Sequence, residues 1–190
     1  GEGERILRHI ERAVESIRER MLPGTWLVNY AGGDWDDTLQ PARPEWKEKL
    51  CSAWTDALAI QVISKLGEQL NKTHGEYAES LLSLAEEMRK DFYNYLVKDG
   101  VIAGFILMEA PEQIQYLLHP LDQKTGIQFR LLPQTRSIIA GIADHDLAGA
   151  NEELIDRELT FPDGVRLMNR PAVYSGGKSV YFQRAEQAAN

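Results

Sequence analysis

Apolar residues recur at steps of three and four along much of the chain, which is the spacing of amphipathic helices. The first run begins at Ile6 and ends at Met21, where Pro23 and Gly24 close it. Similar runs predict further helices, and the segment 71–75 separates two of them. The predicted helices cover residues 6–21, 45–70, 76–98, 136–142 and 145–160.

Extended segments are short in this pattern. Val101–Met108 follows the turn Asp99-Gly100 and is long enough for one strand. Residues 26–30 and 165–168 predict shorter extended pieces, whereas residues 109–126 are predicted to be irregular. Strands and helices do not alternate as they do in parallel α/β folds. We therefore predict an all-α fold of helical hairpins, with short β-strands in the connecting loops and with the function on those loops.

Composition limits the classes of partner. The chain has 190 residues, 43% of them hydrophobic, which is enough for the core of one domain. Its formal net charge of −8 argues against a nucleic-acid or anionic-membrane surface, and no apolar run reaches transmembrane length. The single cysteine, Cys51, excludes an internal disulfide and is expected to be a small buried residue in a helical pattern. We expect a cytoplasmic protein.

The densest chemistry is the segment Gly32-Gly33-Asp34-Trp35-Asp36-Asp37, which we call the acidic loop. Glycines allow a sharp turn and leave space for a ligand. A tryptophan in a turn offers a flat apolar face on which a sugar ring can rest. Crowded carboxylates repel one another, and this repulsion raises the pKa of one of them so that it can act as an acid. The combination favours carbohydrate chemistry.

Plainer interpretations of the same residues stay open at this point. Asp36 or Asp37 could cap a helix or sit in a solvated turn. A calcium loop is disfavoured because the spacing lacks the alternating oxygen ligands and the distal glutamate of an EF-hand. The four histidines do not form a metal-ligand spacing, so no metal is predicted, although His119 could reach a sugar cleft from its irregular segment.

Three ordered motifs carry a family resemblance. Gly33-Asp34-Trp35-Asp36-Asp37 is similar to a Gly-Asp-Trp-Asn-Asp signature, residues 133–141 to a "PQ(S/T)WAVISG" segment, and residues 161–167 to a "TPYGIVLL" segment. On these motifs the chain resembles the inverting glycoside phosphorylases of glycoside hydrolase family 94, the cellobiose phosphorylase group. Within this family, the resemblance is strongest to members that act on β-1,2-glucans, namely the 1,2-β-oligoglucan phosphorylases and the cyclic β-1,2-glucan synthases. The segments that carry it are residues 36–41, 119–120, 130–133 and 182–186.

The resemblance implies an (α/α)6 barrel, of which residues 1–190 would be a single catalytic-domain fragment that is incomplete at both ends. It also implies inverting phosphorolysis of β-glucosides, in which inorganic phosphate is the nucleophile and one carboxylic acid suffices. The last aspartate of the signature, Asp37, takes the role of general acid. Trp35 would shape the pocket, while Asp34 and Asp36 could position hydroxyls or raise the pKa of Asp37.

The remaining predicted site residues follow from the later motifs. The predicted sugar-binding residues are Trp35, Asp36, Gln134, Arg136, Arg170 and Tyr174. Arg136 stands where the family usually has tryptophan, so the sugar subsite there is expected to differ. The family's downstream phosphate-contacting histidine is replaced here by residues 181–184, and the predicted phosphate contacts are Lys178, Gln183 and Arg184. No cofactor is expected beyond phosphate as co-substrate.

Other functions are kept as alternatives. Hydrolysis would need a base to activate water, for which Glu186 is the candidate. A non-phosphorolytic glucan-processing or glucan-binding module inside a cyclic β-1,2-glucan synthase is a second alternative, and a helical scaffold without a sugar site is a third. The expected partners are oligosaccharide and phosphate, without nucleic acid. An excised set of hairpins would expose apolar faces, so self-association, or a homodimer of the parent protein, is also expected.

Overall fold

The computed structural model describes residues 2–36, 38–174 and 181–184. The helices are α1 (Glu2–Arg18), α2 (Ala53–Leu70), α3 (Gly75–Asp91), α4 (Leu131–Ile139) and α5 (His145–Leu154). The strands are β1 (Gln40–Pro41), β2 (Leu50–Ser52), β3 (Val97–Lys98), β4 (Val101–Ile102), β5 (Phe105–Ala110), β6 (Gln113–Leu117), β7 (Thr160–Phe161), β8 (Gly164–Val165) and β9 (Phe182–Gln183).

Two pairs of packed helices have the same arrangement. Helices α2 and α3 pack against each other, and so do α4 and α5. The second helix of each pair ends in a single π-helical turn, Phe92–Leu96 or Ile155–Leu159, which leads into a two-residue hairpin, β3–β4 or β7–β8. The first hairpin turns through Asp99 and Gly100, both at positive φ, a conformation that aspartate and glycine adopt more readily than other residues.

An antiparallel sheet of β2, β5 and β6 lies at the centre, with β5 in the middle. Cys51 pairs with Ile106 and Ser52 pairs with Phe105. Successive side chains of a strand point to opposite faces, so the sheet separates two apolar cores. Cys51, Ile106 and Met108 face a large core with α1, α2 and α3, whereas Leu50, Phe105, Leu107 and Leu117 face a smaller core with Tyr30, Leu39, Trp46 and Phe182.

The prediction of an all-α fold is wrong. Of the residues that the structure describes, about 48% are helical and 17% are in strands, which form several small antiparallel sheets, so the fold is mixed α/β. The central sheet escaped prediction because β2 is three residues long and buried on both faces, which removes the alternation of apolar and polar residues that marks a strand. Its partner β5 lies more than fifty residues later, and β6 falls in a segment that was predicted to be irregular.

Candidate functional site

The acidic loop begins at the edge of the smaller core. The backbone N–H groups of Tyr30 and Ala31 donate to the carbonyl oxygens of Leu50 (2.6 Å) and Lys47 (2.9 Å), which fixes the entry to the loop. Ala31 and Gly33 both have positive φ, and at Gly33 the value of 137° is accessible essentially only to glycine. The glycine is therefore needed to turn the chain before the carboxylates. Asp37 lies outside the described residues.

Trp35 and Asp36 point to opposite environments. The Trp35 side chain is 48% exposed, and its ring centroid lies 5.9 Å from that of Trp54 at an interplanar angle of 57°. Asp36 is buried, as is Asp34. The loop therefore presents its indole outward and keeps two carboxylates beneath it, which is an arrangement suited to a stacking ligand at the surface.

The two buried carboxylates meet one guanidinium. Arg130 Nη2 lies 3.3 Å from Asp36 Oδ2, and Arg130 Nη1 lies 3.5 Å from Asp34 Oδ2. The guanidinium also stacks over Phe105, with Cζ 4.6 Å from the ring centroid. Arg130 is 1% exposed and precedes α4, so a residue 94 positions along the chain compensates the loop's charge. We call Asp34, Asp36 and Arg130 the buried clamp.

Further hydrogen bonds extend the buried clamp. Ser52 Oγ donates to Asp34 Oδ2 (2.5 Å). The backbone N–H and the hydroxyl of Thr38 both donate to Asp36 Oδ1, at 3.1 and 2.6 Å. This is the pattern of an aspartate-initiated turn, which ties together the two residues that flank Asp37 in the sequence. The residues on either side of the predicted acid are thus held by specific contacts.

Polar atoms in and around the buried clamp are incompletely satisfied. Asp34 Oδ1, Arg130 Nε and the Tyr30 hydroxyl are buried without a hydrogen-bond partner in the described part of the chain. Burial raises the pKa of Tyr30 to about 12. Tyr30 therefore stays a neutral phenol at physiological pH.

Arg136 lies beside Trp54, whose ring contacts that of Trp35. Its Cζ lies 5.5 Å from the centroid of Trp54, and its Nη1 donates to Gln61 Oε1 (3.2 Å). The other end of the Gln61 amide donates to the carbonyl of Ile139 (3.3 Å). The predicted sugar-binding residues Trp35, Asp36 and Arg136 therefore come from distant parts of the sequence into one region.

Three of the site residues predicted from the later motifs are Gln183, which lies beside strand β1, and Arg184 and Tyr174, which lie next to each other. Strand β1, which follows the acidic loop, pairs with β9, so that Gln40 lies opposite Gln183. Gln183 Nε2 donates to the carbonyl of Pro41 (3.3 Å), and the Arg184 guanidinium lies 5.1 Å from the ring centroid of Tyr174. Residues 182–183 thus lie beside the strand that leaves the acidic loop. Lys178 and Glu186 are outside the described residues.

Gln134 and Arg170 have contrasting environments. Gln134 is fully buried, and its Nε2 donates to the carbonyl of Ile102 (2.8 Å), so its amide joins α4 to strand β4. Arg170 is exposed. His119 is buried as well: its Nδ1 accepts from the N–H of Leu121 (3.1 Å), and its Nε2 lies 3.0 Å from the carbonyl of Lys98. Burial lowers the pKa of His119.

Three residues of this region were not predicted from the sequence, namely Arg130, Trp54 and Ser52. A signal existed for Arg130, because it is a single charge in the otherwise apolar run 129–133. A charge in such a run is either exposed or buried against a counter-charge, and the buried clamp shows the second case. Trp54 gave no comparable signal, since an aromatic residue at helical spacing is usually part of the core.

The described residues also limit other kinds of site. Within residues 2–36, 38–174 and 181–184, no three histidine, cysteine or acidic side chains are grouped so that they could hold a metal ion. Among the helices of the same ranges, none is both long and apolar enough to cross a membrane.

Comparison with known proteins gives one informative relative. No family model matches the chain. The chain is 45% identical over 186 residues to a 1,2-beta-oligoglucan phosphorylase from Listeria innocua serovar 6a. The alignment covers 97% of this chain and 17% of the relative, so the chain spans about a sixth of that protein's length. The aligned region therefore spans the positions of the acidic loop, of the buried clamp and of Trp54.

Proposed function

We propose that this chain is part of a glycoside phosphorylase of glycoside hydrolase family 94 that acts on β-1,2-linked gluco-oligosaccharides. The observation that carries the proposal is the identity of 45% over 97% of the chain to a 1,2-beta-oligoglucan phosphorylase. The geometry supports it, because an exposed indole stands over a loop whose carboxylates are held by specific partners.

In the proposed reaction, a phosphate oxygen attacks the anomeric carbon on the face opposite the glycosidic oxygen. The bond from that carbon to the glycosidic oxygen breaks, and Asp37 donates its proton to the leaving oxygen. The products are α-glucose 1-phosphate and a glucan shortened by one unit, and Asp37 regains its proton from solvent. Because phosphate supplies the nucleophile, no protein base is needed.

The chain's own residues take the other roles in this proposal. Trp35 carries the sugar ring on its exposed face. Lys178, Gln183 and Arg184 are the proposed phosphate contacts, and Gln183 of β9 lies opposite Gln40 on β1, the strand that follows the acidic loop. Asp34 and Asp36 are already engaged with Arg130, Ser52 and Thr38, so we assign them to holding the loop as well as to the sugar site.

The test is phosphate-dependent release of glucose 1-phosphate from β-1,2-gluco-oligosaccharides by the complete protein, with cellobiose as the comparison substrate. Asp37→Asn keeps the size of the side chain and removes the acid, so kcat should fall by about 10² to 10⁴ while oligosaccharide binding survives. Asp163→Asn is the matched control, because Asp163 is an exposed turn residue paired with Arg166.

Three outcomes would contradict the proposal. Release of free glucose without phosphate would indicate hydrolysis. Binding without release would indicate a glucan-binding or glucan-processing module. Full activity of Asp37→Asn would remove Asp37 from the role of acid.

A further inference from the structure

A chain of side-chain contacts leads from the acidic loop into two helices. The Trp35 indole contacts Trp54 of α2, and the Arg136 guanidinium of α4 also lies near the Trp54 ring. Arg136 donates to Gln61, and Gln61 donates to the backbone at Ile139. We call Trp54, Arg136 and Gln61 the aromatic support.

The aromatic support depends on helical spacing. Trp54 and Gln61 are seven residues apart on α2, two turns along the helix, so they lie on the same face. Arg136 reaches this face from α4, which packs against α2. The guanidinium lies over the indole and is held by the amide, so its position is fixed from two sides.

The arrangement addresses a mechanical problem of the loop. Trp35 is half-exposed in a glycine-containing turn, where an indole without neighbours would rotate about its two side-chain bonds. A sugar ring can stack only on a face whose direction is fixed, and ordering that face at the moment of binding costs affinity. The buried clamp fixes Asp34 and Asp36 of the acidic loop, and the aromatic support contacts the Trp35 indole through Trp54.

We propose that Trp54, supported by Arg136 and Gln61, is a positioning residue that orients Trp35 for stacking against a glucosyl unit of the β-1,2-linked chain. This inference rests on the proposed function for the identity of the sugar. The Trp35 indole, which is 48% exposed, is the proposed stacking platform, and the Trp54 ring meets it at an interplanar angle of 57°. Trp54 thus affects the binding of oligosaccharide and leaves the binding of phosphate unchanged.

The experiment compares variants of the complete protein by steady-state kinetics in both substrates. Trp54→Leu should raise KM for a β-1,2-linked trisaccharide about tenfold, with KM for phosphate unchanged within about twofold. Trp54→Phe keeps an aromatic ring and should recover most of the loss. Gln61→Leu leaves Trp54 in place but releases Arg136, so about a threefold rise is expected.

Val62→Ala is the control, since Val62 follows Gln61 on α2 and is 44% exposed. It should change neither KM. The proposal is overturned if Trp54→Leu leaves the trisaccharide KM unchanged, or if it raises both KM values equally. Equal rises would indicate a general loss of structure or an anion site at Arg136.

Calorimetric titration with the same trisaccharide separates this inference from the proposed function. If the wild-type protein binds the trisaccharide but releases no glucose 1-phosphate, the proposed function fails while Trp54→Leu still tests the platform through the dissociation constant. A tenfold weaker binding would then support the platform. Absence of binding by the wild-type protein would overturn both.

Discussion

Adjacent residues of strand β2 serve two buried carboxylates on opposite sides of the sheet. Ser52 Oγ donates to Asp34 of the buried clamp, and Cys51 Sγ donates to Asp56 in the first turn of α2 (2.6 Å). Both carboxylates are buried; Asp34 lies in the acidic loop, and Asp56 accepts from the N–H of Val28 shortly before that loop. They differ in what compensates their charge.

Asp34 shares the guanidinium of Arg130 with Asp36, so positive charge is built into its environment. Asp56 contacts no lysine or arginine among the residues that the structure describes, and its partners there are the Cys51 thiol and the Val28 N–H (3.0 Å). Burial raises the pKa of Asp56 to about 7 from its ordinary value of 3.8, although these two hydrogen bonds partly oppose the shift. The nearby charge of Asp91 adds to it.

The difference indicates how each region responds to its surroundings. The buried clamp holds its carboxylates with a fixed counter-charge, so its cohesion depends on one arginine. The buried Asp56 has no such counter-charge among the described residues. It is neutral only while it is protonated, and its protonation changes near neutral pH. Asp56 and Asp91 hold the N–H groups of Val28 and Trp26, just before the acidic loop. The approach to the loop is therefore the pH-sensitive part of the region.

The largest effect is expected for Arg130→Met, which removes the counter-charge of Asp34 and Asp36 but keeps an apolar side chain. Two buried carboxylates would then stand without a cation, and breaking a buried ion pair costs about 3 to 5 kcal/mol. We expect the free energy of unfolding, measured by urea denaturation at pH 7, to fall by about that amount. Arg166→Met is the control, because Arg166 is exposed and paired with Asp163 at the surface. Equal effects of the two variants would show that the buried clamp contributes little.

A second test is Asp56→Asn, which keeps an oxygen acceptor for the Val28 N–H and removes the ionisable group. The folded-state pKa lies above the unfolded one, so the stability that protonated Asp56 contributes is full below about pH 4. It is lost as the pH rises through about 7. As the pH rises from 4 to 8, the free energy of unfolding of the variant should therefore increase relative to that of the wild type by about 2 to 4 kcal/mol.

The measurement is the difference in urea midpoint between variant and wild type at each pH, in which groups common to both proteins, such as His119, cancel. A difference that stays constant between pH 4 and pH 8 would show that Asp56 has an ordinary pKa in the folded protein.

The surroundings of Asp34 and Asp56 show which features of the structure could be predicted from the sequence and which could not. The helices were predictable because their apolar faces repeat at a regular spacing, and the acidic loop was recognisable as a local motif. The buried clamp was not predictable, because Arg130 lies 94 residues from Asp36 and only the folded chain brings them together. Cys51 was correctly expected to be buried, but it belongs to a strand rather than to a helix. Pairing between distant segments leaves no periodic trace in either of them.

The smallest expected effect comes from the thiol itself. The Cys51 hydrogen bond lowers the pKa of Asp56, and a hydroxyl is a stronger donor than a thiol. Cys51→Ser should therefore lower the pKa of Asp56 and flatten the fall of stability with rising pH, whereas Cys51→Ala should raise that pKa and steepen the fall. Each change should be about 1 kcal/mol or less across pH 5 to 8, measured by urea denaturation. Slopes that move in the same direction would mean that the thiol does not donate to Asp56, and the pH response would then come from burial and from the nearby charge of Asp91.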